Sequence, residues 1–214
     1  MGFFNWSAPI IHRFGQRWTP EDIAEMVAWL SPFLTRPGSA VLDVGGGSGG
    51  LASRLADDLA RTVTVLDPTP QLLARLPGRP DVVGVLGVAE RMPFADGSFD
   101  AAVVTDAFHH FRDQEGAVRE IRRVLRPGGA VLLHEFDPHG WMRALVWGEK
   151  LLGEPGAFLD QDEMCRFMRA HGIEGTCAPR RGHEYRFTGS RLEEESRGQP
   201  PVPGTAPGTG SQTP

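Results

Sequence analysis

Lysine is all but missing. Of the 22 basic residues in this 214-residue chain, only Lys150 is lysine and the others are arginine, so chemistry that needs a catalytic amine has a single candidate. Tyrosine occurs once, at Tyr185, with no lysine four residues on, which removes a tyrosine–lysine proton donor. Cysteine is limited to Cys165 and Cys177. They show no C-x-x-C spacing, so the expectation is two reduced thiols in a cytoplasmic protein and no structural metal. Excess positive charge is absent too. A formal net charge of −5 argues against a nucleic-acid partner, which would call for a basic face. No apolar run approaches the roughly 18 residues of a membrane span. The opening "MGFFNWSAPIIHRFG" lacks the basic and continuous apolar regions of a secretory signal.

Glycine and proline are plentiful and unevenly placed. The segment 198–214, "GQPPVPGTAPGTGSQTP", carries nine Gly or Pro and no charge. It cannot bury enough apolar surface to offset its ordering entropy, and residues 192–214 are expected to be a disordered tail. Ahead of it, strand and helix patterns alternate. Thr19, Pro20, Glu21 and Asp22 open a helix whose Ile23, Met26, Val27 and Leu30 share a face. Strands are expected at "AVLDV" (40–44), "TVTVLD" (62–67), "DVVGVLG" (81–87), "DAAVVTD" (100–106) and "AVLLHE" (130–135), separated by helices that include "PQLLARL" and 114–125. "LRPGG" reads as a helix stop and turn. Two further helices follow, "HGWMRALVWGEKLLG" and "DQDEMCRFMRAHG", the second with Asp160 and Glu163 spaced as a capping box. "IEGTCA" and "EYRFTG" can pair as an antiparallel hairpin, with 179–186 as a solvated turn. The expected fold is α/β: a doubly wound, mostly parallel seven-stranded sheet ending in that hairpin.

In such sheets ligands sit beyond the carboxyl ends of the strands, at the switch point. There "VLDVGGGSGG" (41–50) places five glycines directly after the first strand. Gly45, Gly47 and Gly50 fit G-x-G-x-x-G, while Asp43, Gly45, Gly47 and Gly49 fit acid-x-G-x-G-x-G, so glycine spacing does not choose between a dinucleotide and another adenosine cofactor. Asp43 favours the second. A carboxylate beside the loop repels a pyrophosphate and suits a cationic guest, whereas phosphate sites use bare N–H groups at a helix N-terminus. Asp67 ends the second strand and is placed to accept from both ribose hydroxyls; its other role would be a helix cap.

Four stretches, "VLDVGGGSGG", "VLDPTPQLLARL", "AERMPFADGSFDAAVVTDAFHHF" and "IRRVLRPGGAVLL", together resemble the class I S-adenosylmethionine-dependent methyltransferases, close to the ubiquinone/menaquinone methyltransferase-like group. They match in order and spacing over residues 40–135. The resemblance implies S-adenosyl-L-methionine as cofactor, held by Asp43, Gly45, Gly47, Gly49, Asp67, Pro68, Thr69, Val88, Ala89, Glu90, Thr105 and Asp106. It departs from the family at Val88, where an aspartate often contacts the adenine. It also implies that residues 1–39 form a helical lid segment over a core at 40–191. The lid would be lined by aromatics: Phe3, Phe4, Trp6, Phe14, Trp18, Trp141, Trp147 and Phe158.

Methyl transfer from a sulfonium is an in-line displacement, so alignment and exclusion of water matter most. A general base helps when the acceptor is a hydroxyl, amine or acidic carbon. Candidate catalytic residues are His109, His110 and His134. Glu135, Asp137 and His139 cluster nearby in sequence, and His134 and Glu135 should point to opposite sheet faces. The expected function is transfer of a methyl group to a small-molecule acceptor: a quinone or phenol, a secondary metabolite, or a thiol. The rivals are a non-catalytic cofactor-binding regulatory domain and a nicotinamide-dependent oxidoreductase.

Overall fold

The computed structural model describes residues 18–139 and 158–193. The helix expected in "HGWMRALVWGEKLLG", the lid aromatics other than Trp18 and Phe158, and nearly all of the Gly/Pro-rich tail lie outside the described residues.

The first helix, α1 (Pro20–Leu30), begins where the sequence chemistry places it. The Thr19 hydroxyl accepts the Asp22 N–H, and the Asp22 carboxylate accepts the Thr19 N–H in return. This reciprocal box satisfies two amides that a helix start would otherwise leave open. Ile23, Met26 and Leu30 form its buried stripe.

Seven strands follow: β1 (Ala40–Val44), β2 (Thr62–Asp67), β3 (Val82–Leu86), β4 (Phe99–Thr105), β5 (Leu125–Phe136), β6 (Ile173–Pro179) and β7 (Glu184–Arg191). They form one sheet in the order β3-β2-β1-β4-β5-β7-β6. Strands β1 to β5 pair in parallel, and β7 runs antiparallel to both its neighbours. The chain winds outward from β1 to β3 and then returns to β4 beside β1. The strand order therefore reverses between β1 and β4, the switch point at which such sheets place their ligands.

Both faces are covered, which explains the unbroken apolar strands. Val41, Val63, Val65, Ala101, Val103 and Leu132 pack with α1 and α2 (Gly50–Leu59). Leu42, Val44, Leu66, Ala102, Val104 and Leu133 pack on the other face with α4 (Gln114–Val124) and α5 (Gln161–Ala170). The expected capping box of Asp160 and Glu163 starts α5. Between β2 and β3, α3 covers only Pro70–Leu73.

Two expectations need correction. "LRPGG" does not end the helix ahead of a new strand at Ala130; β5 already pairs at Leu125. Phe99 faces Leu125 and Ala101 faces Ala130, so β5 spends three extra residues there as a bulge, with Gly128 at φ 74°. Nor is 179–186 all solvated turn. Only Arg180–His183 connect β6 to β7, while Tyr185 and Arg186 are buried. Tyr185 anchors this corner by donating its hydroxyl to the Leu159 carbonyl, 2.9 Å away.

Cys165 on α5 and Cys177 on β6 are unbridged thiols whose sulfurs lie 2.9 Å apart. Burial holds the Cys177 thiol well above its ordinary range. Among the described residues no helix is long and apolar enough to cross a membrane.

Candidate functional site

The loop after β1 is built on left-handed backbone. Gly45, Gly47 and Gly49 have φ of 75°, 57° and 74°, a region that costs side-chain-bearing residues strain. Space adds a second demand. A Cβ on Gly45 would sit 2.6 Å from the Ala107 Cβ, and one on Gly46 would sit 2.4 Å from an Asp43 carboxylate oxygen. The loop is stitched to β2 by the Gly45 N–H, which donates to the Leu66 carbonyl at 2.7 Å.

Asp43 lies beneath this loop, fully buried, and among the described residues neither carboxylate oxygen has a hydrogen-bond partner. Burial, reinforced by the neighbouring Asp67 charge, pushes its carboxyl up to about 7. A buried carboxylate without a partner costs free energy that an incoming cation or donor would recover. Asp67, at the end of β2, is already engaged: its Oδ2 accepts the Gly47 N–H at 3.0 Å and its Oδ1 accepts the Thr69 N–H at 2.8 Å. Burial also raises its carboxyl, with both amides pulling the other way. Thr69 is the N-cap of α3, without a side-chain cap bond, so Asp67 braces that turn and the glycine loop together. Each of its oxygens keeps a further lone pair.

The third-strand loop divides three expected residues. Val88 is exposed and bridges to Arg91, Ala89 is buried in the core, and Glu90 accepts the Arg112 and Asp113 amides. Glu90 therefore ties this loop to the start of α4. That gives its carboxylate a structural occupation.

At the carboxyl ends of β4 and β5 a cluster of ionisable groups converges. Thr105 ends β4, and Asp106 follows in left-handed backbone at φ 51°. The Asp106 N–H donates to the His134 carbonyl at 3.0 Å. Its Oδ1 is buried without a partner, and burial pushes the carboxyl up to about 6. The turn Phe108–His110 comes next. His109 Nδ1 is 2.7 Å from Glu135 Oε2, while Glu135 Oε1 accepts the Phe108 N–H at 3.2 Å. The Phe158 ring stacks on His109 at 4.3 Å and 15°. His110 lies against His109, and burial drives its imidazole down to about 3.

His134 goes to the opposite face from Glu135, as strand alternation requires. Its Nε2 is 3.4 Å from Glu184, and the Trp18 ring meets it edge-on at 4.7 Å. Asp137 and His139 pair with each other at the surface instead of joining the cluster. The three histidines thus do not act as one group: His109 and His110 share one side with Glu135, and His134 stands apart. Phe158, expected among the lid aromatics, lies on His109, whereas Arg186, the register partner of His134 and expected mainly as part of a solvated turn, is buried.

Residues 42–133 match the family model described as a methyltransferase domain. An uncharacterised methyltransferase of Mycobacterium tuberculosis is 38% identical over 145 residues, which are 66% of this chain and 56% of the relative. Over residues 42–133 the chain is similar to the methyltransferase domain family. A demethylmenaquinone methyltransferase of Beutenbergia cavernae is 37% identical over 114 residues, 53% of this chain and 48% of the relative. The chain thus spans about half the length of these curated relatives. Among solved structures, a Thermotoga maritima S-adenosylmethionine-dependent methyltransferase superposes with a TM-score of 0.65 at 19% identity, covering 88% of this chain and 98% of that one. A methyltransferase solved with a Haloferax volcanii methyltransferase activator gives 0.73 at 19% identity, covering 90% and 96%. These two likenesses establish the methyltransferase fold.

Proposed function

We propose that this protein transfers a methyl group from S-adenosyl-L-methionine to a small-molecule acceptor in the cytoplasm. One observation carries the reading: a fully buried carboxylate, Asp43, with both oxygens unpartnered, under glycine backbone that leaves no room for side chains. That combination fits a cationic guest lying against main chain. It disfavours a pyrophosphate.

The residues present divide the work. The Gly45–Gly49 backbone receives the methionine portion, with Asp43 opposite its positive charge. The remaining lone pairs of Asp67 accept from the ribose hydroxyls, with Pro68 and Thr69 beside the adenine. Val88 and Ala89 border the adenine on the third-strand side. Glu90 drops out of the contact set because its carboxylate holds the Arg112 and Asp113 amides. When bound, the cofactor supplies an electrophilic methyl group on a sulfonium. Thr105 and Asp106 stand at the boundary between cofactor and acceptor.

His109 is the best-placed base. Its Nδ1–H donates to Glu135, which fixes the tautomer with the lone pair on Nε2, and Phe158 shields the ring face. An acceptor hydroxyl or acidic carbon would give its proton to that nitrogen as the methyl group arrives. His110, held neutral far below its usual range, is too weak a base to compete. The relatives named as quinone methyltransferases support a flat acceptor, such as a quinone or phenol.

Calorimetric titration with S-adenosylmethionine, S-adenosylhomocysteine and NADH tests the reading. Binding of the first two and not the third is expected. Tight binding of NADH alone would overturn it, and cofactor binding without turnover on a broad acceptor panel would favour a regulatory domain.

A further inference from the structure

The guanidinium of Arg186 is buried and only partly satisfied. It sits on β7 with 8% side-chain exposure. Nη1 donates to Glu25 at 3.2 Å, whereas Nε and Nη2 have no hydrogen-bond partner among the described residues. Those two nitrogens form one edge of the planar fork, the edge that matches a carboxylate through two parallel N–H···O bonds. Leaving both donors dry is costly, which points to a group that fills them.

A second unsatisfied group stands alongside. His134 is directly opposite Arg186 in the β5–β7 register, so both side chains rise from the same sheet face with Cβ atoms about 5 Å apart. His134 is 3% exposed, and its Nδ1 is also buried without a partner among the described residues. The Trp18 ring, edge-on to this imidazole, supplies an apolar wall. A cavity of about 270 Å³ is lined by Glu21, Asp22, Glu25, Pro179, Arg180 and Arg181 and does not include either side chain of the pair. Of its lining, Glu25 holds Arg186 directly.

This place is joined to the proposed reaction site. The His134 carbonyl accepts the Asp106 N–H, and Ala107, one residue further, is in contact range of the glycine loop at Gly45. Strand β7 is two positions from β4 in the sheet, a distance of about 10 Å. That is the reach of one aromatic ring with a short substituent.

We propose that Arg186 and His134 form the recognition site for a carboxylate on the acceptor, so that the methylated substrate is a small organic acid. The inference rests on the methyltransferase reading for the word substrate. The binding site itself stands on the two unsatisfied groups. A phosphate would match the fork too, but its second negative charge would face Glu25 and Glu184, which lie within 3.4 Å of Arg186 and His134 respectively. The monoanion is therefore favoured. In binding, the acid accepts from Nε–H and Nη2–H, and the His134 ring presents Nδ1 to the same place.

The test uses the full chain loaded with S-adenosylhomocysteine, with benzoate, benzamide and inorganic phosphate as probes in calorimetric titrations. Benzoate should bind, and benzamide should bind at least about tenfold more weakly, the scale of lost charge-assisted hydrogen bonds. Arg186→Gln and Arg186→Lys should each weaken benzoate by about tenfold to a hundredfold, with S-adenosylhomocysteine affinity unchanged. Arg186→Lys retains the charge and loses the fork, so it remains informative if the glutamine variant fails to fold. Equal binding of benzoate and benzamide, benzoate affinity untouched in both variants, or phosphate displacing benzoate would each overturn the proposal. Failure of S-adenosylhomocysteine to bind the wild-type chain would instead overturn the methyltransferase reading, while benzoate would still report on the fork.

Discussion

His109 and Glu135 are joined across neighbouring strand ends, Nδ1 to Oε2 at 2.7 Å, and the second oxygen of the same carboxylate holds the Phe108 amide at 3.2 Å. One buried side chain thus sets both the ring and the turn that carries it. Glu135→Ala strips two buried donors of their acceptor and should cost about 2–4 kcal/mol in chemical denaturation. Glu135→Gln keeps an acceptor for the Phe108 amide and should cost less than half as much, yet reduce turnover about 10²-fold or more on a hydroxyl or carbon acceptor. Wild-type turnover in the glutamine variant would leave Glu135 a purely structural role.

How far such pairs could be foreseen depends on sequence distance. Strands β1 and β2 are legible because short runs rich in valine, threonine and leucine, Ala40–Val44 and Thr62–Leu66, end at a glycine or an aspartate. The α1 cap is legible because Thr19 and Asp22 act within one turn. The bulge at Arg126–Gly129 is not, since proline and glycine serve a bulge as readily as a turn. Glu135 and His134 could be sorted to opposite faces by alternation, but the partner of each follows from strand order. Arg186 illustrates the extreme. Its burial depends on α1, and its contact with Glu25 joins positions 161 residues apart, beyond any local pattern.

Asp67 offers a direct test of the cofactor reading. Its carboxylate braces Gly47 and Thr69 and retains lone pairs for further donors. Asp67→Ala should weaken S-adenosylhomocysteine binding by about 1–3 kcal/mol, measured by calorimetry. A loss of folding stability without a loss of affinity would show that bracing is its whole role.

Gly45 tests the loop sterically. At φ 75° and with its missing Cβ aimed 2.6 Å from the Ala107 Cβ, Gly45→Ala meets both backbone strain and a clash with a short side chain that cannot turn away. The expected cost is about 1–3 kcal/mol of stability, together with weakened cofactor binding as the loop shifts off Ala107. Gly78, with open space around its Cβ position and no positive φ, provides the control: Gly78→Ala should be neutral in the same melts.

Asp43 should make the protein's stability depend on pH in an unusual direction. Its carboxyl is raised by burial and by Asp67 from 3.8 to about 7 in the folded state, so the folded chain binds this proton more tightly than the unfolded chain. The resulting stabilisation is fully present below the unfolded value near 3.8 and is lost as pH rises toward 7. The difference corresponds to an upper bound of about 4 kcal/mol. Asp43→Asn, which never ionises, should therefore match the cofactor-free wild type near pH 4 and exceed its stability increasingly up to pH 8. The same variant should bind S-adenosylmethionine more weakly, because it cannot offer a charge to a cationic guest. In the wild type at pH 7, a positive group placed beside Asp43 favours the ionised form. Binding should then release a fraction of a proton, visible as a dependence of the titration heat on the ionisation enthalpy of the buffer. A stability difference between Asp43→Asn and wild type that stays constant from pH 4 to pH 8 would mean that Asp43 does not titrate in this range, and the charge argument for the cofactor would lose its basis.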